Sequence, residues 1–417
     1  MGNRLTNFDT NNIVLFENKD KCCACGACKN ICPKHAISME EDEYGFIYPV
    51  INERLCIKCG KCKKVCNYQN DDIKEESKEA YVSSAKDINL LLKSASGGVF
   101  ATLAGSIIEK DGVVYGVSMN NVNNTLKPEH IRVNNKEFIK KLQGSKYVQS
   151  DTANSFINIE RDLKEGKMVL FSGTPCQVAG LKGYLGRKYE NLYVVDIICH
   201  GVPSAKFFQD YISILMKKWN GQILDFKFRD KTNGWGLNAK VIYKDKNNKA
   251  KIKRIPYGES SYFDMFLKSE TYRENCYSCP YATKGRVGDI TIGDYWGVQK
   301  EHPELMVEAG GEYNDANGIS CVLVNNEKGK QLLKLLNNKV SINLSTIEKV
   351  ARKNGQLKNP SNCPETRKEI LEIYKEHGYF EVDSYFKKRN GVRTQYYYLK
   401  NMLPHSFKKV IKNLVKR

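Results

Sequence analysis

No apolar run in the sequence approaches the ~18 residues that a bilayer span requires. The opening stretch, MGNRLTNFDTNN, has no apolar core of the signal-peptide kind. These absences argue against membrane spanning and secretion, and a cytoplasmic protein is the expectation. Without a secretory signal, the 15 cysteines do not read as a disulfide framework. They point instead to metal ligation or redox chemistry in a reducing compartment. No recognised nucleic-acid motif accompanies the formal charge of +19. Its distribution matters more than its sum. Residues 1–75 hold 11 Lys/Arg against 11 Asp/Glu, while residues 384–417 hold 10 Lys/Arg and no acid. A nucleic-acid partner is therefore not expected.

What is present is ordinary for a globular chain: 41% apolar and 27% charged residues. A length of 417 residues leaves room for two or three domains at ~150 residues each. Nine of the cysteines fall between Cys22 and Cys66, which marks a small domain over residues 1–70. A polar stretch, 71–79, reads as a linker. A larger domain follows over 80–340, and 341–417 reads as a helical extension. Within the larger domain, strand-like runs at 113–119, 168–172 and 192–199 alternate with helical patterns at 98–110, 153–164, 177–185 and 205–217. Such alternation predicts an α/β domain with a largely parallel sheet. From residue 223 strands cluster before helices resume near Glu327, so the chain as a whole is expected to be α+β.

The cysteine head carries one motif twice. Cys22-x2-Cys25-x2-Cys28-x3-Cys32 is followed by Cys56-x2-Cys59-x2-Cys62-x3-Cys66 with identical spacing. A 4Fe–4S cube needs four thiolates from several directions; a tight C-x2-C-x2-C loop supplies three, and the fourth comes from the partner repeat. The expected sets are Cys22, Cys25, Cys28 and Cys66 for one cluster, and Cys56, Cys59, Cys62 and Cys32 for the other. A zinc site would use four of these cysteines and strand the rest. Cys23 lies outside the pattern and reads as a spare thiol. The segment is similar to a two-cluster bacterial-type ferredoxin domain, which conducts electrons.

Four islands in the larger domain, SASGGVF (94–100), GSKYVQS (144–150), FSGTPCQVA (171–179) and DIICHGVP (196–203), join strand-like runs to helix-like starts through Gly or Ser turns. Outward backbone N–H groups there suit phosphate or the polar edge of a flavin; a tight turn is the plain alternative for each. Cys276-x2-Cys279-Pro280 repeats the ligand-pair motif, and Cys176 begins a helix after a strand, as a metal ligand or a reactive thiol would. Cys321, in the apolar run SCVLV, reads as core, and Cys363 has no evident role. Asp289 and Asp294 alternate with apolar residues as on an edge strand and read as structural. His200, beside Cys199, is either a proton donor or a hydrogen-bonded structural histidine.

Beyond about residue 80 the chain resembles the beta subunits of the coenzyme F-420 hydrogenase/dehydrogenase family. The matching pieces are SASGGVF, LQGSKYVQS, VLFSGTPCQVAGLK, VDIICHGVPS, FKFRDKTNGWG, CYSCPYA and GDITIGDYWG. The resemblance implies FAD, and electron passage between iron–sulfur clusters and a two-electron acceptor, sometimes the deazaflavin. The fold does not fix the substrate. It also suggests that Cys176, Cys199, Cys276 and Cys279 hold a third 4Fe–4S cluster, with a redox thiol pair or zinc as alternatives. For the flavin it points to Ser96, Gly97, Gly98, Lys146, Gln149, Thr174 and Gln177. Lys146, whose plain alternative is a solvated surface lysine, and His200 are the catalytic candidates.

The tail 404–417 places Phe407, Val410, Ile411, Leu414 and Val415 on one stripe with lysines opposite. It would lie on anionic lipid, dock on an acidic partner or pack on its own domain. The function expected is that of an iron–sulfur flavoprotein oxidoreductase. It would link ferredoxin, or another redox subunit, to an unidentified small-molecule acceptor. The alternatives are an electron-conduit subunit whose substrate site lies on another chain, and a ferredoxin-linked reductase of a polysaccharide-biosynthesis intermediate.

Overall fold

The computed structural model describes residues 13–70, 73–122, 124–232 and 234–402, without the side chains of 393–402. The amphipathic stripe of 404–417 lies outside the described residues. In the head, the two cysteine repeats fold alike because each bends left-handed at matching places. Ala24 and Gly26 have φ of 52° and 79°, and Lys58 and Gly60 have 54° and 70°. Each bend leads into a short helix, α1 (Ala27–Ile31) or α2 (Lys61–Lys64). Between the repeats, β1 (Ile37–Glu41) and β2 (Ile47–Ile51) form an antiparallel hairpin.

The polar stretch after the head contributes a two-residue strand, β3 (Glu75–Glu76). The larger part begins with β4 (Glu79–Ala85), then β5 (Val113–Val122), β6 (Thr125–Val133), β7 (Val169–Gly173) and β8 (Leu192–Ile197). A separate antiparallel sheet follows, of β9 (Gln222–Lys227), β10 (Asn238–Lys244) and β11 (Ala250–Pro256). Strand β12 (Gly285–Arg286) pairs with β3. Strands β13 (Ile290–Asp294), β14 (Ser320–Val324) and β15 (Val340–Ser345) complete an eight-stranded sheet of order β15-β4-β14-β13-β8-β7-β5-β6.

Only the four central strands, β13, β8, β7 and β5, run parallel; the outer pairings are antiparallel. The sheet is thus mixed rather than largely parallel, because apolar alternation carries no information on strand direction. Nor is β13 an edge strand: it is paired on both sides, by β14 and β8.

Period-two alternation sends neighbouring side chains to opposite faces. Along β7, Val169 and Phe171 join one apolar cluster and Leu170 another. Helix α3 (Ile88–Lys93) leads to α4 (Val99–Ile108), which covers the Leu170 face together with α11 (Glu327–Leu335). Between them in sequence come α5 (Ile139–Leu142), α6 (Ser155–Lys164), α7 (Pro175–Leu185), α8 (Ala205–Trp219), α9 (Ser261–Leu267) and α10 (Val298–Glu301). Helices α6 and α7 cover the Phe171 face. The short α12 (Ile347–Ala351) precedes α13 (Thr366–Met402), a long helical segment broken at Gly378, where φ is 73°. Residues of α8, α9 and α13 form an aromatic core around the three-stranded sheet. No helix among the described residues is long and apolar enough to cross a membrane.

The head docks on α7. Gly180 and Gly183, three residues apart, lie on one side of that helix. A Cβ added at Gly180 would stand 2.6 Å from the Cys25 sulfur, and one at Gly183 would meet the Val65 carbonyl. Asn67 Nδ2 donates to the Ala179 carbonyl at 3.0 Å, and Thr152 Oγ1 to that of Cys25 at 2.9 Å. Substituting Gly180→Val is therefore expected to destabilise the chain by about 1–3 kcal/mol through overpacking. The check is the urea unfolding midpoint under anaerobic conditions; an unchanged midpoint contradicts the docking.

Candidate functional site

Two hollows in the head sort its cysteines. One, of about 350 Å3 including space open to solvent, is lined by Cys32, Cys56, Cys59 and Cys62. The other, of about 410 Å3, is lined by Cys22, Cys25, Cys28 and Cys66, with Cys23 and Cys62 at its wall. Three cysteines of one repeat thus meet the last cysteine of the other in each hollow. Among the described residues no three His, Cys, Asp or Glu side chains converge closely enough to hold one metal ion. The cysteines stand around hollows instead, as a multi-iron unit with thiolates at its corners requires. Burial pushes the Cys22 thiol up to about 12 and raises Cys28 and Cys66 as well.

A second gathering of cysteines forms where the central strands end. Thr174 follows β7 and caps α7, with Gln177 completing a capping box and Pro175 in the first turn; the sequence TPCQ thereby fixes Cys176 at the helix start. Cys199 follows β8. Arg286, fully buried, pairs with Asp196 and donates to the carbonyls of Tyr281 and Ile197, tying the Cys276–Cys279 loop to the same edge. Cys199 lies within the electrostatic reach of Cys276, Cys176 and Cys279. Burial raises Cys276 and Cys279 to about 12. Cys176 is lowered instead, by a hydrogen bond from Cys23 first, and also by Thr174 and the Arg273 charge.

Cys23 is no spare surface thiol. It is buried, and its sulfur bonds to both Cys25 of the head and Cys176 of the larger part. Arg273 stands beside it. Only 1% exposed, it donates to the carbonyls of Cys22 and Ile47 and to Gln149 Oε1, at 2.9–3.1 Å. Its guanidinium lies 4.2 Å from the Tyr48 ring centroid. Its charge lowers the thiol pKa values of Cys22, Cys176 and Cys276.

A third cluster of polar groups lies at the end of β13. Arg229 Nη1 pairs with Asp294 Oδ2 at 2.7 Å and donates to Tyr147 Oη at 2.9 Å. Trp235 and Trp296 stack with centroids 4.7 Å apart and planes 8° from parallel, and the Arg229 guanidinium lies 5.3 Å from the Trp296 ring centroid. Three polar atoms here are buried with no partner among the described residues: Arg229 Nη2, Asp294 Oδ1 and Trp235 Nε1. Lys231 donates to the carbonyls of Leu91, Ser96 and Asn317 and so anchors the SASGG loop beside them. Burial, with Arg229 nearby, presses its pKa down to about 7.

Other residues singled out from sequence have local duties. Ser96 Oγ donates to the Ile319 carbonyl, and Gly97 N to Ser320 Oγ. A Cβ on Gly97 would meet the Ser83 carbonyl, while Gly98 is left-handed ahead of α4. Lys146 Nζ caps the end of α5 on the carbonyls of Leu142 and Gln143, and burial brings its pKa down to about 7. Gln149 Nε2 contacts the Cys23 carbonyl, and Gln177 Nε2 donates to Ser150. His200 stands at the surface; packing on its inner side lowers its pKa, opposed by Asp294. Asp289 accepts from Val194 N, Cys321 is core, and Cys363 is exposed.

The residues that sequence reading passes over are Arg273, Arg229, Lys231 and the two tryptophans. The last four lie inside the motifs FKFRDKTNGWG and GDITIGDYWG. A charged residue among apolar and glycine neighbours was the available sign. Asp294→Ala should cost about 3–5 kcal/mol, since it leaves the buried Arg229 charge without its partner. Urea unfolding of the variant measures this, with Asp294→Asn as the milder control.

Residues 21–70 match the 4Fe-4S dicluster domain, and residues 166–350 match the C terminus of the coenzyme F420 hydrogenase/dehydrogenase beta subunit. No curated protein matches the chain. Among solved structures, a chain of the F420-reducing [NiFe] hydrogenase complex from Methanosarcina barkeri is 17% identical over 68% of this chain and 90% of that one, with a TM-score of 0.41. Through its two matched segments the chain belongs to the coenzyme F420 hydrogenase/dehydrogenase beta subunit family, with a 4Fe–4S dicluster domain at its N-terminal side.

Proposed function

We propose that this electron-transfer subunit is an iron–sulfur flavoprotein oxidoreductase linking a ferredoxin-like donor to a two-electron acceptor. The observation that carries the reading is the sorting of eight head cysteines into two hollows, three from one repeat and one from the other. Cys22, Cys25, Cys28 and Cys66 would hold an inner cube against α7, and Cys32, Cys56, Cys59 and Cys62 an outer one. Cys176, Cys199, Cys276 and Cys279, which lie within one another's field, would hold a third. FAD would occupy the recess at the end of β13. Arg229 Nη2, Asp294 Oδ1 and Trp235 Nε1 offer spare donor, acceptor and donor groups there. The C=O, N–H, C=O edge of an isoalloxazine presents the complementary set. When bound, the cubes carry single electrons and the flavin pairs them for hydride transfer.

The protein's own part is positional. Ligand sites of parallel sheets gather at the carboxyl ends of the strands, where Cys176, Cys199 and Asp294 stand. Arg273 opposes the negative charge of the inner and third cysteine sets, and burial of the thiols excludes water between them. Lys231 fixes the Ser96 loop beside the recess. His200, at the surface near Asp294, is placed to exchange a proton with bulk water. The match to a family described as a beta subunit also favours a second reading, a conduit whose substrate site lies on a partner chain. Reduction of a soluble acceptor by the purified chain alone separates the two.

Two outcomes follow from the cysteine sets. Anaerobic iron and sulfide analysis should give about twelve irons per chain, falling to about eight in Cys276→Ser or Cys176→Ser; unchanged iron removes the third cube. The thiols of Cys22, Cys28 and Cys66 are raised by burial, so cluster uptake must expel their protons. Reconstitution of the apo-protein with iron and sulfide should therefore speed up from pH 7 towards pH 9, followed by visible absorbance. A rate that falls over that interval contradicts the assignment.

A further inference from the structure

Resting on the proposed two-cube head, we infer that the outer hollow is the docking face for a small acidic protein that carries one electron at a time. Its ring is basic and apolar together. Lys34 and Lys61 line the hollow beside Cys59, itself exposed, and Arg54, Lys58 and Lys64 flank it. Among the described residues Lys34, Lys61 and Lys64 form no ion pair with an acid, and Glu53 is the acid next to this ring. Leu55 and Ile57 on the same loop are 51% and 57% exposed, which gives the face an apolar centre within a charged rim.

The head's other acids are held at the opposite end of the hairpin. Ile37 and Ile51, paired across β1 and β2, line the outer hollow. Glu40, Glu41, Asp42 and Glu43 lie toward the turn, about 13 Å along at the usual rise per residue. There Lys19 pairs with Asp42 at 2.7 Å and with Glu43 at 3.2 Å, and Tyr44 donates to Glu372 of α13. The head is neutral in sum yet polarised, with its cations gathered where cysteine sulfur reaches the surface. The inner hollow is already covered by α7. Charge complementarity of this kind steers an acidic partner and orients it.

The test is association of the iron-loaded, full-length protein with a purified acidic two-cluster ferredoxin on a surface biosensor, with no turnover. Affinity should fall at least about ten-fold between low and physiological salt. Lys34→Glu with Lys64→Glu should weaken binding at low salt by at least about ten-fold, while Lys140→Glu on α5 leaves it unchanged. Binding by the double variant equal to the parent's, or no binding by the parent, overturns the docking face. Should the double variant lose iron, zero-length carboxylate–amine cross-linking of the parent decides: links at Lys34, Lys58, Lys61 or Lys64 support it, and links elsewhere refute it. A chain that docks yet never reduces flavin would count against the proposed function and leave the face standing.

Discussion

Arg273 is the residue on which the two parts of this protein converge. A buried guanidinium is costly unless its donors are used, and every partner found for it ties one part to another. The carbonyls of Cys22 and Ile47 belong to the head, and Gln149 and Asn275 to the larger part. The same cation reaches thiols on both sides of the junction. Mechanical attachment and electrostatic support for anionic sulfur thus come from one side chain. Cys23 and the glycines of α7 serve the same closeness by different means, a bridging thiol and the absence of side chains.

The strand order of the large sheet explains why distant cysteines meet. Four parallel strands deliver their carboxyl ends to one edge, and the loops leaving β7, β8 and β13 carry Cys176, Cys199 and Asp294. The loop with Cys276 and Cys279 is held at that edge by Arg286 through its contacts with Asp196 and the Ile197 carbonyl. Antiparallel strands on the flanks add stability and core area without adding to that edge. Redox groups and the orphaned polar recess therefore lie along one line of the fold.

Much of the head was legible because a cube's ligand geometry imposes a local spacing on the chain. The runs at 113–119, 168–172 and 192–199 were legible too, since buried strands show as apolar runs. Strand direction was not, and neither was the central place of β13, because both are set by partners far away in sequence. Arg273 and Arg229 escaped for a related reason. A lone arginine in sequence resembles any solvated cation among 66 Lys/Arg, and only its buried partners distinguish it. Asp294 reads as structural from its alternation; its pairing with Arg229 beside two unsatisfied donors shows what that alternation concealed.

The crossed lining of the hollows bears on how the head can come into being. The first repeat encloses its space only with Cys66, and the second only with Cys32. Neither half can close alone, so a ribosome that has released just the first fifty residues has produced an open bowl. Maturation of this segment must then wait for the second repeat, and damage to either bowl exposes its twin.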